Sequence, residues 1–341
     1  MAGIVFSKIS GHNNDVYGKS EYPIKMIIES KAEAYEKQSV LPLIYNMEKS
    51  RNFGEKLAYM TAMDDFTPVP EGGAFTLSDF QEGYSKTFEH VTWKNQFEVT
   101  REMLDDNKTI DLKNGAGKFI GSYGRTRERF GVRLLGAATA LTATKATLTF
   151  GNMEFDANSA DGVAQFCTAH PSKVSKKLVQ SNIFAGAGSG DPFTSEYLSE
   201  AETVMQNFRD DNGNILGVAP DTIVIQNNAA MKRLVFGVIG ADKNPETNHN
   251  ALNYTFGRWN VIIAPEWKTT SGTEWILMSS EYNRENMGAV WYDRMPLSVS
   301  PHVNESNWNM VWSGMARFTA GFNDWRFAAM FNVSGATSLV S

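Results

Sequence analysis

The hydrophobic period of the chain changes once, between Phe75 and Leu141, and that change limits what the chain can fold into. Val91, Trp93, Phe97 and Val99 fall on alternate positions, the period of a strand with one buried face. From about Gly117 the period becomes helical. Phe119, Tyr123, Phe130, Leu134, Ala138 and Leu141 are separated by 4, 7, 4, 4 and 3 residues, which at about 100° per residue puts them on one stripe. Lys118, Arg125, Arg129 and Arg133 fall on a second stripe, roughly opposite the first. The pattern predicts an extended hairpin, with limbs at about 75–84 and 88–99, running into a spine helix about 35 Å long. Gly115, Gly117, Gly121, Gly124 and Gly131 each lower helix propensity by up to about 1 kcal/mol against alanine. Packing within or between subunits must therefore hold the spine.

The totals bound the rest. A chain of 341 residues suits two or three modules, and 42% hydrophobic residues give ample area to bury. A net charge of −6 argues against a dedicated nucleic-acid binder. Cys167 is the only cysteine, so neither an intrachain disulfide nor a cysteine-based metal cage can form. No run approaches about 20 apolar residues and the N-terminus carries no secretory pattern, so the expectation is a soluble protein made inside the cell, with no membrane partner.

Along the chain, residues 1–21 read as an extended arm and Ile24 to about Arg51 as a helix with a break at Pro42. A polar stretch with Asp64, Asp65, Pro68, Pro70, Gly72 and Gly73 opens the hairpin. Thr100 to Asn107 resembles a helix start. Beyond the spine come a strand near Ala146–Phe150 and a helix marked by Leu198, Ala201, Met205 and Phe208. A strand Thr222–Ile225, a helix Ala229–Ile239, and strands Trp259–Ala264 and Trp275–Met278 follow. Aromatic-rich strands at Trp308–Trp312 and Trp325–Phe331 close the tail. Helices and strands without regular βαβ alternation point to the α+β class.

Little catalytic chemistry is legible. Gly115-Ala-Gly117-Lys-Phe-Ile-Gly121 and Gly186-Ala-Gly-Ser-Gly190 lack the preceding strand and the spacing of a phosphate cradle. The five histidines are scattered outside metal-ligand spacing. Cys167 and His170 are either a nucleophile pair or a buried cysteine beside a loop-capping histidine. The acid pairs Asp64–Asp65, Asp105–Asp106 and Asp210–Asp211 fit turns and helix starts. The arginine stripe has two readings: a solvated face balanced by its own fold, or a face that meets a neighbouring subunit or nucleic acid. Arg127 projects near the apolar stripe and must be paired if it is buried.

Four segments carry a family resemblance: Phe97-Glu-Val-Thr-Arg-Glu-Met-Leu-Asp-Asp106; Asp161-Gly-Val-Ala-Gln-Phe-Cys-Thr-Ala-His-Pro171; Met205-Gln-Asn-Phe-Arg-Asp-Asp-Asn-Gly213 followed by Val218-Ala-Pro-Asp-Thr-Ile-Val-Ile225; and Asn250 to Pro265, ending Val-Ile-Ile-Ala-Pro. In order and spacing, over roughly residues 50–335, the chain resembles tailed-phage major capsid proteins of the Hong Kong 97-like fold, within them the Mu-like head subunits. The resemblance implies an N-terminal arm and helix (1–63), an extended loop (64–99), a peripheral domain with the spine (100–185), an axial domain (186–284) and return strands completing the peripheral domain (285–341). It implies pentamers and hexamers closing into an icosahedral shell around double-stranded DNA, with separate scaffolding and portal proteins, in a virion assembled in the bacterial cytoplasm. No enzymatic activity and no cofactor are expected. The candidate interface residues are Phe75, Trp93, Lys94, Arg125, Arg129 and Arg133; the candidate axial tip is Lys243, Asn244, Glu246 and Asn248. Lys86 and Lys94 lie in the presumed loop, but no partners for a crosslink can be matched. An encapsulin-type compartment shares the fold and stands as the alternative, with a soluble hydrolase as a remote one.

Overall fold

The computed structural model describes residues 5–6, 35, 37–60, 63, 66–75, 77, 82–102, 109–175, 177–186, 192–240, 253, 255–269 and 271–339. Two long strands, Ala289–Val303 and Met310–Phe322, form the antiparallel centre of a five-stranded mixed sheet. Val91–Val99 joins one side, antiparallel to Met310–Phe322, while Val5–Phe6 and Asn46–Lys49 run parallel to Ala289–Val303 on the other. The spine helix, Thr109–Ala137, lies against this sheet. Its 29 residues make it roughly 44 Å long.

The apolar stripe is the reason for that packing. Phe130 and Leu134 are fully buried, and Phe130 meets Trp93, Trp291, Phe155 and Phe318 with ring centroids 4.7 to 6.1 Å apart. Each such side chain contributes about 1.5–3 kcal/mol by leaving water, which offsets the glycines' low propensity. Some of those glycines are there for room: a Cβ on Gly131 would run into Leu41 and lie 3.2 Å from the Trp291 ring. The helix ends at Ala137, and Thr139–Ala140 pairs with Phe166–Cys167 instead. Leu141 therefore leaves the stripe and is 45% exposed, which corrects the helical end expected from the period alone.

A second sheet takes the order Asn260–Ala264, Thr222–Gln226, Trp275–Met278, Ala328–Phe331, its first pair parallel and the others antiparallel. Every residue of Thr222–Gln226 is buried. Val224, Ile276 and Met278 face the core shared with the spine, while Ile223, Ile225, Trp275 and Leu277 face a second core under helices Ser195–Gln206 and Ala229–Ile239. A sheet covered on both faces produces the continuous apolar runs read in the sequence. Thr194 and Asn228 cap those two helices through their side chains. Residues 285–341 do not all return to the first sheet: Ala328–Phe331 pairs with Trp275–Met278 and closes the second. Helix Ser280–Asn286 carries too short a pattern to be read from sequence.

The hairpin differs most from expectation. Glu82–Glu89 pairs with Gly54–Met60, not with Val91–Val99. Ser85-Lys-Thr87, expected to turn, offers no residue suited to a tight turn and continues the strand. Only His90 separates Glu89 from Val91, too short a connection for those strands to fold back on each other. Val91–Val99 instead turns its apolar face to the home core, so Trp93 stacks on Phe318 at 4.8 Å. The helix expected to reach Arg51 gives way to a one-turn helix, Leu41–Ile44, and the strand Asn46–Lys49. Pro42 sits in the first turn of that short helix, and Asn46–Lys49 is drawn into the sheet edge beside Val290–Asp293. Apart from Val5–Phe6, the expected arm lies outside the described residues, as do residues 24–34 and 36 of that helix; Tyr35, Lys37 and Gln38 are helical. No described helix is long and apolar enough to cross a membrane.

Candidate assembly interface

The spine presents its basic stripe outward. Lys118, Arg125, Arg129 and Arg133 are all exposed. Glu266, just after the strand Asn260–Ala264, accepts from Arg129 Nε at 3.0 Å and Arg133 Nη2 at 3.2 Å. Burial opposes ionisation of Glu266, but the two guanidiniums outweigh it and hold its carboxyl below the usual carboxylate range. Such exposed pairs each contribute only about 0–1 kcal/mol, so this arrangement sets charge more than stability. Arg125 has no partner among the described residues.

Arg127 points the other way. It is buried against Trp291, whose ring centre lies 5.0 Å from the guanidinium carbon, and donates to Asp293 Oδ2 at 2.9 Å and Tyr123 Oη at 3.0 Å. Burial works against its charge, yet Tyr123 and Asp293 outweigh that and raise its pKa. The pairing that its place beside the apolar stripe requires is therefore supplied from the strand Ala289–Val303.

The hairpin Gly54–Met60 and Glu82–Glu89 is fastened to the body by three cations, at mid-ladder and at the end where its strands meet the linking segment. Lys86 Nζ pairs with Asp156 Oδ2 at 3.1 Å and donates to the Asn158 carbonyl. Lys173 Nζ donates to the carbonyls of Glu82 and Gly83, at 2.8 and 2.6 Å. Arg326 lies 5.5 Å from the Tyr59 ring while pairing with Asp211 and Asp324. In the segment that links the two strands, Phe66, Phe75 and Leu77 are 105%, 102% and 97% exposed, and Val69 is half exposed.

These positions redistribute the sequence-based candidates. Phe75 is on the free tip and Arg125, Arg129 and Arg133 are on the open spine face, but the hairpin is displaced from 64–99 and Trp93 belongs to the home core. Lys94 is exposed on the strand opposite Met315, inside the sheet rather than on a loop. Lys243, Asn244, Glu246 and Asn248 lie outside the described residues. Glu266, Lys86 and Lys173 were missed as partners. Phe66 and Leu77, which fit no period in a Pro- and Gly-rich stretch, were a signal that could have been read. His170 is held on both sides, by Asp161 at 2.7 Å and Asn182 at 3.0 Å, and stacks on Trp325 at 4.3 Å. Burial raises the pKa of the Cys167 thiol, which is bonded to the Thr142 carbonyl. The cysteine is buried, as one reading had it, while His170 bonds two side chains rather than capping the loop backbone. Among the described residues, no three His, Cys, Asp or Glu side chains converge as a metal site would need.

A spine helix across a mixed sheet, a second sheet module and a separate two-stranded hairpin together define the Hong Kong 97-like class of shell subunit. A phage-related protein from Bordetella bronchiseptica RB50 superposes with a TM-score of 0.51 at 10% identity, over 91% of this chain and 97% of that one. A structure of Microbacterium phage Oxtober96 gives 0.50 at 10% identity, over 86% and 90%. The holo-SrpI encapsulin complex of Synechococcus elongatus PCC 7942 gives 0.46 at 11% identity, over 88% of each. No curated protein matches by sequence. The family described as phage capsid protein matches residues 83–331. The chain belongs to that phage capsid protein family, and it is a major capsid protein, a structural component of the virion. That match is to the phage capsid protein family and does not single out the Mu-like head subunits.

Proposed function

We propose that the protein builds its shell by self-association into pentamers and hexamers that close an icosahedron around double-stranded DNA. The carrying observation is a hairpin fastened to the body by Lys86, Lys173 and Arg326 whose linking segment leaves Phe66, Phe75 and Leu77 fully exposed among the described residues. Apolar area covered by a neighbour contributes about 25 cal/mol per Å² before the cost of association is subtracted. Contacts that are weak singly become a stable shell when symmetry repeats them. The exposed spine arginines supply polar contacts that tolerate the differing angles of pentamers and hexamers.

In this reading, 100–185 with most of 285–341 is the peripheral domain, and 186–284 is the axial domain, with Lys243, Asn244, Glu246 and Asn248 at its tip near the symmetry axes. Scaffolding and portal functions reside in separate proteins, the DNA is held without sequence preference, and assembly takes place in the host cytoplasm. Electron microscopy of the purified, overexpressed chain tests this. Uniform icosahedral shells, or pentamers and hexamers, are expected; a stable isolated monomer under all assembly conditions would end the proposal.

A further inference from the structure

The first sheet carries three unbalanced cations on the face turned away from the spine. Arg294 stands in the bulge between Asp293 and Met295, and Met295 pairs with Arg317, so the two arginines are neighbours across the central strands. Asp293 reaches Arg127 and Phe318 packs in the spine's core, so strand alternation turns Arg294 and Arg317 to the opposite face. Thr92 lies opposite Arg317, and Lys94, opposite Met315, continues the same face. Strand Glu82–Glu89 covers the adjoining part of that face, with Phe88 against Gly321, Val290 and Tyr292, and the cover ends at His90. None of Arg294, Arg317 and Lys94 has an ion-pair partner among the described residues.

The patch is short of acceptors. Seven buried side-chain nitrogen or oxygen atoms lack a hydrogen-bond partner among the described residues, and His90 Nδ1, Arg294 Nη1 and Arg317 Nε are three of them. His90 is 7% exposed and gives its Nε2 proton to Ser50 Oγ at 2.8 Å, because that hydroxyl itself donates to Glu55 Oε1 at 2.7 Å. Burial, then the charges of Arg294 and Arg317, lower the pKa of the ring, which is therefore neutral at pH 7. The carboxylates whose charge reaches it are committed: Glu55 to Ser50 and Asn52, Asp293 to Arg127 on the other face. Like charges facing each other across strands are destabilising, and a half-buried guanidinium without an acceptor has lost hydration that nothing replaces. We propose that this patch binds a phosphate-type oxyanion, held by the outer nitrogens of Arg294 and Arg317 with Lys94 on the rim. Guanidinium forks match phosphate oxygens in pairs, and three cations without a counter-charge suit a multiply charged anion better than the single charge of a carboxylate. Free phosphate and a nucleic-acid backbone share that chemistry. The site is complete within one chain and does not depend on the shell-forming reading.

Titration calorimetry of inorganic phosphate into the full chain at pH 7, with ionic strength held by chloride, should show one saturable site per chain. Arg294→Gln and Arg317→Gln should each weaken binding at least about tenfold, the worth of one charge-assisted hydrogen bond. Lys118→Gln, on the exposed side of the spine, should leave it unchanged. A short DNA duplex that displaces the phosphate, with the same dependence on both arginines, supports the site and gives it to a nucleic-acid backbone; a duplex that does not compete supports it as a free-phosphate site. A second measurement needs no variant and decides the matter if the glutamine variants do not fold. Phosphate should slow phenylglyoxal modification of Arg294 and Arg317 in the wild-type chain several-fold, read by peptide mass spectrometry, and leave the exposed Arg125 unaffected. Absence of saturable binding, equal weakening by Lys118→Gln, or no protection of the two arginines would overturn the proposal. A chain that ignores phosphate yet loses assembly on Arg317→Gln would also overturn it and give the patch to a carboxylate of a second copy.

Discussion

Arg127 and Arg129 stand two residues apart on one helix, and replacing each with methionine should have very different consequences. Arg127→Met leaves the Asp293 carboxylate nine-tenths buried, with the Trp291 indole at 3.1 Å as its remaining side-chain donor. Removing one partner of a buried pair costs about 3–5 kcal/mol, chiefly as the penalty of the stranded charge. Arg129→Met removes one of two guanidiniums from Glu266 at the surface and should cost less than about 1 kcal/mol. For a chain of this size roughly 2 °C accompanies each kcal/mol, so the expected drops are about 6–10 °C and at most about 2 °C. Scanning calorimetry of unassembled subunits at matched concentration reads both. Arg127→Met/Asp293→Asn should regain at least half of the larger loss, because the stranded charge is gone. Single variants melting within about 2 °C of each other, or a double variant no better than Arg127→Met, would refute the reasoning.

Three further outcomes are expected. Arg129→Glu/Arg133→Glu should fold, with a melting temperature within a few degrees of the parent, yet fail to assemble; normal particles in the electron microscope would remove the spine face from the interface. Glu266 has a folded pKa held below its ordinary 4.5, so its stabilising contribution is present above that value and fades as pH falls through the folded one. The difference between the parent and Glu266→Gln, under about 1 kcal/mol for so exposed a pair, should show at pH 7 in low salt and vanish near pH 3; a gap that widens on acidification would contradict the sign. Gly131→Ala should destabilise by about 1–3 kcal/mol, because its methyl collides with Leu41 and crowds Trp291. Gly115→Ala, whose nearest neighbour is the Phe97 ring at 3.9 Å, should gain up to about 1 kcal/mol in helix propensity; chemical denaturation of both variants decides, and equal effects would show that room is not what separates the two glycines.

The sequence by itself determined what local periodicity can carry. The stripe from Phe119 to Leu134 is buried, the arginines opposite it face outward, Arg127 is paired, and the second module's helices and strands lie within a few residues of where capping residues and apolar runs put them. Each follows from side chains spaced along one stretch of backbone, where geometry is fixed by 3.6 or 2 residues per repeat. The tertiary structure alone decided who meets whom. Gly54–Met60 pairs with Glu82–Glu89 rather than Val91–Val99 with its predecessor, Ala328–Phe331 crosses to the second sheet, and Glu266 arrives beside Arg129 and Arg133 from far along the chain. Strand pairing uses backbone groups that every residue carries, so partner choice leaves little local mark. Which large apolar residues stay uncovered, Phe66, Phe75 and Leu77 among the described ones, became visible only in the fold.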